Sequence, residues 1–119
     1  MSDYLPKYDE GDSVPFIAGT GGVTGGLLVD VTGATAGAGS IVAGVAAFDA
    51  PAGAPVTVIR EGVQRLKSSA AIAVGDPLKA AAGGTVAKWV SGTDNANLYI
   101  GDAWSAAASG ALVDAVFRF

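Results

Sequence analysis

The closing stretch Ala111-Leu-Val-Asp-Ala-Val-Phe-Arg-Phe119 alternates two kinds of side chain. Leu112, Asp114, Val116 and Arg118 fall to one side of an extended chain, and Val113, Ala115, Phe117 and Phe119 to the other. A strand sends successive side chains to opposite faces, so this period of two predicts a β-strand with one apolar face. Working back through the chain, short apolar runs recur between Gly-rich turns: 27–32, 41–48, Val56 with Val58, Val63 with Leu66, 85–90 and 97–104. Short runs punctuated in this way are the habit of an all-β fold. The expected class is mainly β, a compact small β-barrel or β-sandwich with one short helix and an extended N-terminal arm.

Three places interrupt the strand rhythm. Ser68-Ser-Ala-Ala-Ile-Ala-Val places a capping Ser before Ala-rich helix formers, and the short helix is expected there. Gly75-Asp-Pro77 reads as a turn, with Pro fixing φ and Gly supplying freedom. Arg60-Glu-Gly-Val63 reads as a hairpin turn or as a bulge at Gly62. The bulge is favoured, because Glu-Gly fits the two-residue turn types poorly.

Residues 1–26 differ from the rest. They hold Pro6, Pro15 and a Gly-Gly-Val-Thr-Gly-Gly stretch, yet also Tyr4, Leu5, Tyr8, Phe16 and Ile17. So much apolar surface suggests an arm that orders on contact, set against a domain over 27–119. The other reading is a first strand with a frayed end. About 16 extended residues reach roughly 50 Å at about 3.3 Å each, and a body of about 93 residues is roughly 30 Å across. Such an arm can cross onto a neighbour.

Of 119 residues, 24 are Ala and 18 are Gly, and only 36 apolar side chains exceed Ala in size. One domain with a thin core follows. With no Cys and no His, disulfides, thiolate zinc sites, catalytic triads and imidazole acid–base chemistry are excluded. Apolar runs fall far short of the ~20 residues of a membrane helix, so no membrane partner is expected. The opening Met1-Ser-Asp-Tyr-Leu-Pro lacks the pattern of a secretory signal. Four acids against Lys7 leave −3 in the first 12 residues, and the other 107 carry only −1. A body so sparsely charged does not present a nucleic-acid footprint.

The candidate motifs resolve into ordinary structure. Gly37-Ala-Gly39 lacks the third Gly of a dinucleotide loop, where Val42 stands. Gly39-Ser-Ile-Val-Ala-Gly44 is followed by Val45-Ala46 instead of a phosphate-binding Lys and hydroxyl. Asp9, Glu10 and Asp12 lack calcium-loop spacing, and Asp94, Asn95 and Asn97 suit turn capping. Asp49, Asp76 and Asp102 sit beside turn residues, and no Ser precedes a Lys by three positions. No catalytic residue, metal ligand or cofactor is expected. Arg60, Arg65 and Lys67 form the basic concentration, either a contact for a neighbouring subunit or a solvated face. Trp89, Trp104 and Phe117 are expected to anchor the core.

One ordered set of pieces is more specific. Val56-Thr-Val-Ile-Arg-Glu-Gly-Val63 leads to Lys67, then Ala71-Ile-Ala-Val-Gly-Asp-Pro-Leu78, Gly83-Gly-Thr-Val86, Tyr99-Ile-Gly-Asp-Ala103 and Ala108-Ser-Gly110 before the closing strand. Over residues 14–119 this order resembles the capsid decoration proteins of tailed phages, also called cement or head-stabilisation proteins. The resemblance implies a tulip-like subunit without enzymatic activity, made in the host cytoplasm. It also implies trimers on the outer surface of the virion's head that bridge major capsid proteins and resist internal DNA pressure. An arm with contacts at Tyr4, Leu5, Tyr8, Phe16 and Ile17 would order against the shell. The acidic extension over residues 1–12 departs from the simplest pattern. The other function class in view is a β-sandwich module of a fibre or bacterial surface that binds carbohydrate, with Trp89 or Trp104 beside Asp94 and Asn97.

Overall fold

A computed structural model describes residues 13–119. Its strands are β1 (Ser13–Ile17), β2 (Leu28–Asp30), β3 (Val42–Ala46), β4 (Pro55–Ile59), β5 (Val63–Lys67), β6 (Pro77–Ala81), β7 (Thr85–Lys88), β8 (Gly101–Ala103) and β9 (Leu112–Phe117). They form two antiparallel sheets, ordered β1-β4-β3-β2 and β5-β9-β8-β6-β7. Both sheets curl. The N–H of Gly19, after β1, reaches the carbonyl of Gly33, after β2, at 2.9 Å. In the second sheet Ser68 bridges Val86, and the Ser69 N–H donates to the Val86 carbonyl, so the strands at the two ends of the order meet. The mainly β, barrel-like class read from the sequence is the fold observed.

β9 shows why the alternation was informative. Val113, Ala115 and Phe117 are buried, while Leu112 is exposed and Asp114 and Val116 lie between. The buried three join Leu66, Ile72, Leu78, Val86 and Ile100 in a core to which Leu28, Val42 and Val45 of the first sheet contribute. A second core, on the other face of the first sheet, holds Ala18, Val23, Val29, Ala43, Ala46, Ala50, Val56 and Val58. β3 therefore buries all five residues. A bulge makes this possible: Val29 pairs with Gly44 and Asp30 with Val42, leaving Ala43 as the extra residue. Gly44 is required there, since a Cβ would run into the Ile59 carbonyl.

Three expectations are corrected by the structure. Residues 13–17, assigned to the arm, form β1, which pairs with β4 throughout, and Ala18 and Val23 are buried. Residues 68–74 are not helical. Ser68 bridges Val86 and Ile72 bridges Ala107, and these sheet hydrogen bonds override the helix propensity of Ala. Short 3₁₀ turns lie at Ala82–Gly84 and Ala96–Leu98 instead. Residues 60–62 form neither a hairpin nor a bulge within one sheet. β4 pairs with β1 and β3, while β5 pairs with β9, so the chain changes sheets here with Gly62 at φ 88°. Gly75-Asp-Pro77 does turn, with the Asp76 carboxylate accepting the Ala73 N–H at 2.9 Å.

Candidate interaction surface

The outer face of β8, β9 and β5 is built from the residues that alternate with the core. Paired residues of an antiparallel ladder put their side chains on the same side. Arg65 pairs with Asp114, and the Trp104 N–H donates to the Asp114 carbonyl at 2.7 Å, giving a row Trp104, Asp114, Arg65 across three strands. Lys67 and Leu112 form the row on one side; Asp102, Val116 and Val63 form the row on the other. Trp104 and Leu112 are each 59% exposed, and Val63 is exposed at the opposite corner, across Asp114 and Val116. The face thus mixes large apolar groups with Arg65, Lys67, Asp102 and Asp114.

The ion pairs on this face are loose or half-exposed. Arg65 Nε stands 3.8 Å from Asp114, with its side chain 80% exposed. Arg118 Nε donates to Asp102 at 2.5 Å, and the other Asp102 oxygen accepts the Tyr99 hydroxyl. Burial pushes the Tyr99 phenol above its ordinary range, and the hydrogen bond to Asp102 adds to the effect. On the adjoining β6, Lys79 Nζ lies 2.8 Å from Asp94, whose other oxygen caps the Val90 N–H at 2.7 Å. The Lys79 hydrogen bond, aided by the Val90 amide, holds the Asp94 carboxyl below its usual value.

The expected site residues separate. Arg65 and Lys67 share the face just described, whereas Arg60 turns inward. Its Nε donates to the Ala43 carbonyl and its guanidinium lies 5.3 Å from the centre of the Phe119 ring. Trp104 is no core anchor: its position two residues after Asp102 puts it on the solvent side of the ladder. Trp89 is no core anchor either, being half-buried, with Tyr99 edge-on at 6.0 Å and its indole N–H on the Asn95 carbonyl. Phe117 lies in the larger core. Phe16 packs against the smaller core, Ile17 is exposed, and Tyr4, Leu5 and Tyr8 lie outside the described residues. Val63 and Leu112 went unmarked in the sequence, although their spacing against Leu66 and Val113 already assigned them outward.

Two shallow cavities flank the crossover between sheets. One of about 360 Å³ is lined by Arg60, Glu61, Gly62, Phe117 and Phe119, and one of about 250 Å³ by Val14, Phe16, Val31, Val42, Ala43 and Arg60. The first holds a single carboxylate, Glu61, beside Arg60, and the second holds none. Among the described residues no cluster of three or more Asp or Glu side chains could hold a metal ion.

A family model described as phage cement protein matches residues 8–118. The chain belongs to the phage cement protein family. This is a family of structural phage proteins, not of enzymes, and it assigns this cement protein a structural role in a phage head, associated with the virion. Among solved structures, the N base of head fiber gp8.5 in bacteriophage phi29 is similar, with a TM-score of 0.68 and 25% identity. The match covers 89% of this chain and 94% of that one. No curated protein matches the cement protein.

Proposed function

We propose that this cement protein decorates the outer surface of a phage head as a trimer, bridging major capsid proteins and stabilising the shell against internal DNA pressure. The observation that carries the reading is the family match across residues 8–118, joined to a sheet face that exposes Trp104, Leu112 and Val63 beside Arg65 and Lys67. Decoration needs many weak contacts repeated around a symmetric assembly, since avidity multiplies them without any single strong site. A sparsely charged body with a few large apolar side chains outside suits such contacts. Likeness to the base of a head fiber supports attachment to a head as well.

Sedimentation tests the proposal. The purified protein should run as a trimer or co-migrate with expanded heads, and heads carrying it should survive heating that bursts bare ones. A monomer that never joins heads would sink it. The exposed Trp104 also favours a carbohydrate-binding reading, in which Trp89 or Trp104 stands beside Asp94 and Asn97. Asp94 is already held by Lys79 and Val90, and the Trp89 indole N–H by the Asn95 carbonyl, whereas Asn97 is exposed. Quenching of tryptophan fluorescence by glycans would separate the two.

A further inference from the structure

A ring of three closes head to tail, so each chain needs two different patches that fit one another. Strand β3 carries such a pair, one at each end. Near its start lies the shallow cavity of about 250 Å³ lined by Val14, Phe16, Val31, Val42, Ala43 and Arg60. Val31 is exposed and donates its N–H to the carbonyl of Ile41, itself exposed, which extends the apolar rim. Arg60 uses Nε on the Ala43 carbonyl, and among the described residues its two Nη groups meet no hydrogen-bond acceptor and no carboxylate. Beyond the far end of β3 stand Phe48 and Asp49, both exposed. One Asp49 oxygen accepts the Gly25 N–H at 2.8 Å, and the other meets no partner among the described residues. We propose that Phe48 and Asp49 of one copy dock in this cavity of the next, the ring among its apolar side chains and the carboxylate on Arg60. The inference rests on the trimer reading and supplies the contact that holds the trimer. It uses no residue of the β5, β9 and β8 face, which stays open for the shell.

Size, charge and rigidity agree. An apolar cavity of about 150 Å³ already accepts benzene, so one of about 250 Å³ has room for the Phe48 ring. A guanidinium with open N–H groups at the edge of an apolar cavity selects a carboxylate that arrives beside a large apolar group. The loop is pinned on both sides. The Ala47 N–H donates to the Thr57 carbonyl at 2.9 Å, and Ala50 and Val23 exchange hydrogen bonds at 2.8 and 3.0 Å. Phe48 and Asp49 are therefore presented without much freedom left to lose on contact. The loop does not reach its own cavity. Phe48 lies five residues beyond Ala43 along a strand held in its ladder, about 17 Å away at about 3.3 Å per residue. The two patches meet only between copies.

The chain has no Cys, so introduced cysteines report the contact. Ala47→Cys beside the loop and Ile41→Cys at the cavity rim both replace exposed side chains. With a short bismaleimide, the doubly substituted chain should yield covalent trimers and nothing larger. A mixture of the two single variants should yield dimers, and either alone no product. Asp49→Arg tells the two ends apart. Added to the Ala47→Cys chain, it should abolish crosslinking to Ile41→Cys chains. Added to the Ile41→Cys chain, it should leave crosslinking to Ala47→Cys chains in place, which an unfolded variant would not do. Phe48→Ser should sediment as a monomer at concentrations where the parent is a trimer. A trimer that survives both Asp49→Arg and Phe48→Ser would overturn this contact and leave the trimer reading standing. A parent that stays monomeric, free and on heads, would overturn both. Crosslinks from Ile41→Cys to the major capsid protein alone would overturn the contact in favour of the shell.

Discussion

The two cores solve the same shortage in opposite ways. In the smaller core, on the outer face of the first sheet, no buried side chain is larger than Val, and four of the eight are Ala. There the backbones themselves come close. Gly44 lies against the Ile59 carbonyl, a Cβ on Gly25 would stand 3.0 Å from Phe48 Cα, and the loops close through Ala18 to Ala54 and Val23 to Ala50 hydrogen bonds at 2.8 Å. The second sheet curls around Leu66, Ile72, Leu78, Ile100 and Phe117, a conventional side-chain core. A chain rich in Ala and Gly thus holds one region by backbone pairing and the other by apolar volume. Small side chains are not a deficit where strands and loops must approach this closely.

The comparison breaks most easily at its large side chains. Leu78→Ala should cost about 2–5 kcal/mol, because a buried Leu leaves a cavity that the curled sheet cannot close. Urea titration followed by circular dichroism measures it. The opposite change tests the first sheet: Ala43→Leu should cost about 1–3 kcal/mol by overpacking. If that substitution were neutral, the idea of a backbone-limited core would fail. Next in size is Ser68→Ala. Its buried hydroxyl donates to the Ala108 carbonyl at 2.8 Å, where residues 68–74, a strap across the second sheet, begin, and its loss should cost about 1 kcal/mol.

The smallest effect is pH-dependent. The Asp94 carboxyl sits below its ordinary value of 3.8, so it stabilises the fold fully above that pH, and the contribution fades as pH falls through the lower folded value. Asp94→Asn should therefore melt earlier than the parent at neutral pH, and the two melting curves should converge in acid. A gap that persisted at low pH would assign the effect to the turn geometry at Val90 instead of to charge.

Much of this was legible in residues. The alternation from Leu112 to Phe117 set the inner and outer faces of β9, and Asp76 and Asp94 cap the turns their neighbours suggested. Trp104 could have been placed too, since Gly101 and Ala103 alternate with Asp102 and Trp104, and an Asp seldom faces a core. Its size misled. The strap over 68–74 was not legible, because Ala-rich helix propensity is a local preference and its partners, Val86 and Ala107, lie far along the chain. Nor was the change of sheet at 60–62. Two short apolar runs parted by Arg60-Glu-Gly62 read the same whether they share neighbours or not.

That change of sheet has a mechanical consequence. β4 and β5 are joined by three residues, so the covalent chain itself couples the two sheets closely. Arg60 spans the same joint, bonded to β3 on one side and laid over Phe119 on the other, which ties the joint to both halves at once. The two sheets are thus coupled twice, by a three-residue covalent joint and by the core that Leu28, Val42 and Val45 share with the second sheet.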